Sequence, residues 1–136
     1  MKKLMISMFL LLAAFAVKAQ EATVSEAAKI EFENKLYNFG EIAPGDTVDH
    51  VFTFKNIGTA PLKILSARGS CGCTVPKYST DAVAPGKSGE VFVRFNSAGK
   101  RGNQNKTVTL VTNDPTAQQV ILTLRGNIVT AGERRE

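Results

Sequence analysis

The sequence predicts an all-β fold: two antiparallel sheets packed face to face as a sandwich of about seven short strands. Three observations carry that prediction. Apolar residues alternate with polar ones along several stretches, proline-glycine and asparagine-rich corners separate those stretches, and no window beyond the N-terminal leader shows the spacing of an amphipathic helix. Short strands between close-set turns indicate a sandwich rather than alternating strand-helix units.

The chain opens with Lys2 and Lys3, an apolar run of 14 residues from Leu4 to Val17, and then Lys18-Ala19-Gln20. This is the pattern of a secretory signal peptide over residues 1–19, with cleavage expected after Ala19. The run is too short to cross a hydrocarbon core of roughly 30 Å, which takes about 20 apolar residues. No cysteine follows it, so no lipid anchor is expected. The precursor carries 17 basic and 12 acidic residues, a net charge of +5; loss of Lys2, Lys3 and Lys18 leaves 14 against 12, or +2. The basic character that would favour nucleic acid or a membrane surface thus largely leaves with the leader. All three methionines leave too, and the remaining 117 residues suit one domain.

Residues 20–29 are small and polar, with no sustained apolar face, and read as a linker. Strands are expected over Leu36 to Ile42, Val48 to Asn56, Leu62 to Ala67, Thr74 to Tyr78, Gly89 to Asn96, Lys106 to Thr112 and Gln118 to Asn127, within a domain spanning residues 30–128. In the second, His50, Phe52 and Phe54 alternate with Val51, Thr53 and Lys55. In the fifth, Val91, Val93 and Phe95 alternate with Phe92 and Arg94. Val120, Leu122 and Leu124 mark the inward face of the last. Ala43-Pro44-Gly45 and Ala84-Pro85-Gly86 precede the second and fifth strands at a constant offset of 41 residues. Proline presets the first central residue of a type II turn, and glycine supplies the positive φ of the second. The charged end, residues 129–136, is expected to fray.

Both cysteines lie in Arg68-Gly69-Ser70-Cys71-Gly72-Cys73-Thr74-Val75-Pro76. Gly69 and Gly72 are expected to shape this loop, and Pro76 to stop the strand beside it. Three readings compete for Cys71 and Cys73. They can pair as a disulfide, kinked at Gly72; a bridge closing so small a loop stabilises by only about 1.6 kcal/mol, which suits exchange or local shape better than stapling. They can bind a soft metal such as Cu(I), although the mature chain offers no methionine and one histidine, His50, to complete a site. Or they can be passive, buried thiols. The one-residue spacing and the absence of a helix depart from the thioredoxin-like arrangement.

His50 falls on the inward side of an aromatic strand, and a core-edge histidine explains it better than a catalytic base. Asp46 belongs to a turn and Asp49 points to the opposite face, so no paired carboxylates are expected. Asn105-Lys106-Thr107 matches a glycosylation triplet. Gly69, Gly99 and Gly102 lack the context of a phosphate loop and fit turns. Lys100, Arg101 and Lys106 read as a solvated hairpin tip.

Taken in order, Tyr37-Asn38-Phe39-Gly40-Glu41-Ile42, His50 to Gly58, Ser70-Cys71-Gly72-Cys73-Thr74, Ala84-Pro85-Gly86 and Thr112-Asn113-Asp114 resemble the secreted bacterial family known as domain of unknown function 1573. The resemblance runs from about Phe32 to Ile128, and Ser-Cys-Gly-Cys-Thr is its most specific part. That family is similar to the immunoglobulin-like domains of the ciliary and centrosomal ASPM, SPD-2 and Hydin group, and more distantly to major sperm protein and PapD-type pilus chaperones. The resemblance implies an immunoglobulin-like sandwich in the bacterial envelope, and it carries no catalytic residues across.

The function expected from these readings is a non-enzymatic interaction or structural module, periplasmic or secreted, with no cofactor. It would meet another envelope protein through the Cys71-Cys73 loop or an edge strand, and would neither bind nucleic acid nor remain inserted in a membrane. The competing expectation is a thiol-disulfide or copper-handling protein working through the Cys-Gly-Cys element.

Overall fold

The computed structural model describes residues 25–134, so the expected signal peptide, residues 20–24 and the last two residues lie outside it. Within those bounds the chain forms eight strands: β1 (Ile30–Phe32), β2 (Leu36–Ile42), β3 (Thr47–Asn56), β4 (Ile64–Gly69), β5 (Thr74–Tyr78), β6 (Ser88–Asn96), β7 (Gly102–Thr112) and β8 (Gln119–Ile128). They make two four-stranded sheets, ordered β1-β3-β6-β5 and β2-β8-β7-β4. All seven expected strands are present as β2 to β8. The added β1 has three residues, too few for a period of two to register.

One pairing departs from the antiparallel expectation, since β2 runs parallel to β8. The first segment of the domain is shared between the layers: β1 pairs antiparallel with β3, and after a short link the chain crosses to the other sheet. Side-chain alternation reports which face a residue occupies and carries no information on strand direction.

The inward stripes meet as expected. Phe52 and Phe54 of β3, Val91, Val93 and Phe95 of β6, Val108 and Leu110 of β7, and Leu122 and Leu124 of β8 are all buried between the sheets. The β3–β6 register sets Phe52 opposite Val91 and His50 opposite Val93. Phe95 reaches across to Phe39 of the second sheet with ring centroids 5.7 Å apart. Gly45 and Gly86 hold φ of 92° and 79°, as the proline-glycine corners require.

Buried polar side chains lock the ends of the sandwich. Asn56 donates to the carbonyls of Ala60 and Val83 and accepts from the amides of Lys29 and Gly58. Ser97 donates to the Asp46 carbonyl at 2.6 Å, holding the end of β6 to the first proline-glycine corner. These bonds satisfy groups that would otherwise be stranded away from water.

The domain is longer at both ends than the sequence suggests. The linker expected over residues 20–29 is docked from Ala27 onward: Ala28 is buried, and the Ala27 carbonyl accepts from the amides of Thr59 and Ala60. Backbone bonds and one methyl group do this work, so no apolar stripe announces it. At the other end, where a frayed tail is expected from residue 129, Val129 is buried and donates its amide to the Ile42 carbonyl, and Thr130 to Glu133 close a hydrogen-bonded turn.

Candidate functional site

The cysteine loop is the place where the chain changes sheets. β4 ends at one edge of the second sheet, β5 begins at an edge of the first, and Ser70 to Cys73 carry the chain between them. Ser70 remains tied to β7: its amide donates to the Thr107 carbonyl at 2.8 Å, and its hydroxyl accepts from the Thr107 amide at 3.2 Å. Cys73 is already tied to β6, its carbonyl accepting from the Asn96 amide at 2.9 Å. Between these anchors the Thr74 amide donates to the Cys71 carbonyl at 3.1 Å, closing a tight turn.

Of the three residues expected to shape the loop, Gly69 does so. A Cβ there would lie 1.9 Å from the Thr74 carbonyl oxygen, so only glycine allows the two arms of the corner to approach. Gly72 and Cys73 are the central residues of that turn, so the chain bends at Gly72, although its φ is not positive and open space surrounds it. Pro76 does not stop a strand, and lies inside β5 opposite Val93. Since Cys73 turns its carbonyl toward β6, alternation turns Val75 and Lys77 the same way. The Pro76 nitrogen therefore faces away from the sheet, where no N–H is needed.

Cys71 and Cys73 are joined as a disulfide with Cα atoms 5.2 Å apart. Bridged sulfurs are not thiolate ligands, and among the described residues no group of three or more His, Cys, Asp or Glu side chains converges on a metal position. Both cysteines are half-buried and Gly72 between them is exposed. Cys73 packs against the core. The buried Thr74 hydroxyl lies 3.6 Å from the Cys71 sulfur and 3.8 Å from the Cys73 sulfur. The sequence reading missed Thr74 as part of the site; its signal was a hydroxyl at the inward parity of β5, directly after the second cysteine.

His50 stands apart from this loop. The register places Val93 and then Pro76 in its row, with no cysteine. Burial holds its imidazole pKa below the ordinary value. Asp49 points to the opposite face, as expected, where Arg94 donates to both carboxylate oxygens at 2.7 Å. That bidentate bond holds the Asp49 pKa below its usual range. Elsewhere, a shallow depression of about 540 Å³ on the outer face of the second sheet is lined by Asn38, Asn103, Asn105, Arg125 and Asn127, among others.

Edge-strand presentation, one of the two expected modes of contact, meets an obstacle at every edge. β1 has only three residues, and the Ile30 amide is taken by the Asp114 carboxylate at 2.9 Å. β2 breaks register between Asn38 and Gly40, with the Gly40 amide turned onto the Asn38 side chain. β4 breaks register between Ile64 and Ser66, and β5 carries Pro76 outward. Bulges, short strands and outward proline are the devices by which sheets avoid pairing with another chain.

Residues 30–128 match the model of the family described as protein of unknown function (DUF1573). The chain belongs to the DUF1573 family. Three solved structures show the same fold. A protein of unknown function from Porphyromonas gingivalis W83 superposes with a TM-score of 0.66 at 16% identity, over 76% of this chain and 48% of that one. The DUF1573 chain therefore spans about half the length of that relative. The ASH/PapD-like domain 7 of human CEP192 gives 0.57 at 16% identity, over 77% of this chain and 88% of that one. The YadV chaperone gives 0.51 at 10% identity, over 73% and 51%. At these identities the likeness establishes the PapD-like, immunoglobulin-type sandwich and nothing of function. A comparison with curated proteins finds no match.

Proposed function

We propose that this DUF1573 protein is a non-enzymatic interaction module of the bacterial envelope, exported by its leader, which presents the Cys71-Gly72-Cys73 corner to a protein partner. The observation that carries the reading is the contrast between that corner and the rest of the perimeter. The corner is half-exposed and held at both arms by backbone bonds, whereas each sheet edge is interrupted. A turn already held at both arms loses little conformational entropy on binding, which favours it as a recognition element. A disulfide also suits an oxidising compartment outside the cytoplasm. The small net charge of the mature chain favours a protein partner over nucleic acid.

The test is site-specific photocrosslinking in intact cells, with the crosslinker at Gly72 in one strain and at Thr59, in the loop after β3, in another. A discrete adduct from Gly72 that is missing from Thr59, and that weakens when Cys71 and Cys73 are both replaced by serine with the crosslinker kept at Gly72, is the expected result. Identical adduct patterns from the two positions would sink the proposal.

A further inference from the structure

We propose that the Cys71–Cys73 disulfide is an exchange site for a dithiol protein, and that the Thr74 hydroxyl is the positioning group that receives the thiolate it releases. This goes beyond the recognition reading and does not depend on it, because exchange needs only encounter with a dithiol.

Three features of the corner lead here. The bridge spans a single residue, so it contributes little to holding the domain together; eight strands and a buried core do that without it. The two sulfurs are unequal: Cys73 packs against the core, whereas Cys71 stands at the start of the turn, off the core, on the far side of exposed Gly72. Finally, Thr74 is buried, with its hydroxyl within 4 Å of both sulfurs. Neither sulfur of a disulfide carries a hydrogen, so the hydroxyl can only be the donor, and its single proton is available to either sulfur. Thr74 is also held in place on both sides, its amide bonded to Cys71 and its strand paired with Phe95 of β6. A fixed donor beside two sulfurs adds little to a neutral bridge and far more to an anion, since hydrogen bonds to charged groups are about twice as strong as neutral ones.

The step balances as follows. A thiolate of the partner dithiol attacks the Cys71 sulfur, the Cys71–Cys73 bond breaks, and its electron pair departs on the Cys73 sulfur as a thiolate, which accepts the Thr74 O–H. Cys71 is then joined to the partner as a mixed disulfide. The second thiol of the partner, as its thiolate, attacks the partner's own sulfur in that bond and releases Cys71, which takes a proton from solvent, as Cys73 does when the pH allows. Two electrons and two protons have moved from the partner to the pair, and the partner leaves as a disulfide. In reverse, the reduced pair reduces a disulfide of the same class of protein. A lower thiol pKa at the leaving sulfur speeds its departure.

The experiment uses the exported, purified full chain with dithiothreitol as the dithiol probe. Thiols are trapped and counted by intact mass over time, circular dichroism follows the fold, and far-ultraviolet thiolate absorbance of the reduced protein is titrated with pH. In wild type both thiols are expected to appear together while the domain stays folded. Thr74→Val should raise the pKa of the more acidic thiol by about one pH unit, the size expected for one lost hydrogen bond to an anion, and should slow reduction. Thr74→Ser keeps the hydroxyl and should track wild type in both readouts. If valine is not accommodated, Thr74→Ala removes the same hydroxyl without added bulk. A disulfide that excess dithiothreitol leaves intact in the folded protein overturns the proposal, and so do coincident thiol titrations for wild type and the hydroxyl-free variant.

Discussion

His50 lies flat against Tyr37, with ring centroids 3.8 Å apart and planes within 8° of parallel, so that β3 of one sheet and β2 of the other meet through two aromatic faces. Phe52 meets the same imidazole in a T-shaped arrangement with ring centroids 4.6 Å apart. An imidazole in this sandwich is desolvated, which holds its pKa below the ordinary 6.5. The unfolded chain therefore binds the proton first. The stabilisation is fully present above pH 6.5 and is lost as pH falls below it, toward the lowered folded-state value. Denaturant midpoints measured between neutral and mildly acidic pH should fall with acidity in wild type and much less in His50→Phe; parallel slopes would exclude His50 as the source.

Asp114 fastens the first strand of the domain. One carboxylate oxygen accepts the Ile30 amide, and the other accepts from the Thr116 amide and hydroxyl and the Ala117 amide. Burial works to raise its pKa, but the hydrogen bonds outweigh it and the net direction is down. The stabilisation is thus present above pH 3.8 and lost as acid takes the pH below that value. Asp114→Ala leaves buried donors unmatched and should cost about 3 kcal/mol. Hydrogen exchange should locate the loosening at Ile30 before the rest of the sheet; uniform loosening would point to a general core effect instead.

Adjacent residues of β3 offer a direct test of which face is buried. Phe52 is 1% exposed and Val51 42%. Phe52→Ala should destabilise by about 3–5 kcal/mol through the cavity it leaves, and Val51→Ala by no more than about 0.5 kcal/mol. Equilibrium urea unfolding distinguishes them, and comparable losses would contradict the two-layer packing.

The two glycines of the cysteine corner should respond in opposite ways. Gly69→Ala forces a methyl group into the Thr74 carbonyl and should cost about 1–3 kcal/mol or prevent folding. Gly72→Ala meets open space at an ordinary backbone conformation, and a change within about 0.5 kcal/mol is expected. Replacing both cysteines by serine should lower stability by only about 1.6 kcal/mol and leave the domain folded. Thermal melts of the three variants check the order; loss of the fold with the cysteines would make the bridge a structural staple.

Side-chain alternation and proline-glycine punctuation were enough to determine that this chain is a two-layer β-sandwich, which residues line its core, and that its cysteines share a corner, because these follow from local backbone period and turn chemistry. Strand pairing was not written locally. The parallel β2–β8 pair, the docking of Ala27 and Ala28, and the obstacles at the sheet edges depend on which segments meet across dozens of residues. The same holds within the corner. The cysteines and glycines were visible by spacing, yet the roles of Gly69 and Thr74 came from a carbonyl and two sulfurs brought within contact when β4 and β5 were drawn into different sheets. Chain period determined the faces, and only tertiary structure decided the neighbours, since contact between distant segments is won by packing the whole core rather than by any one stretch.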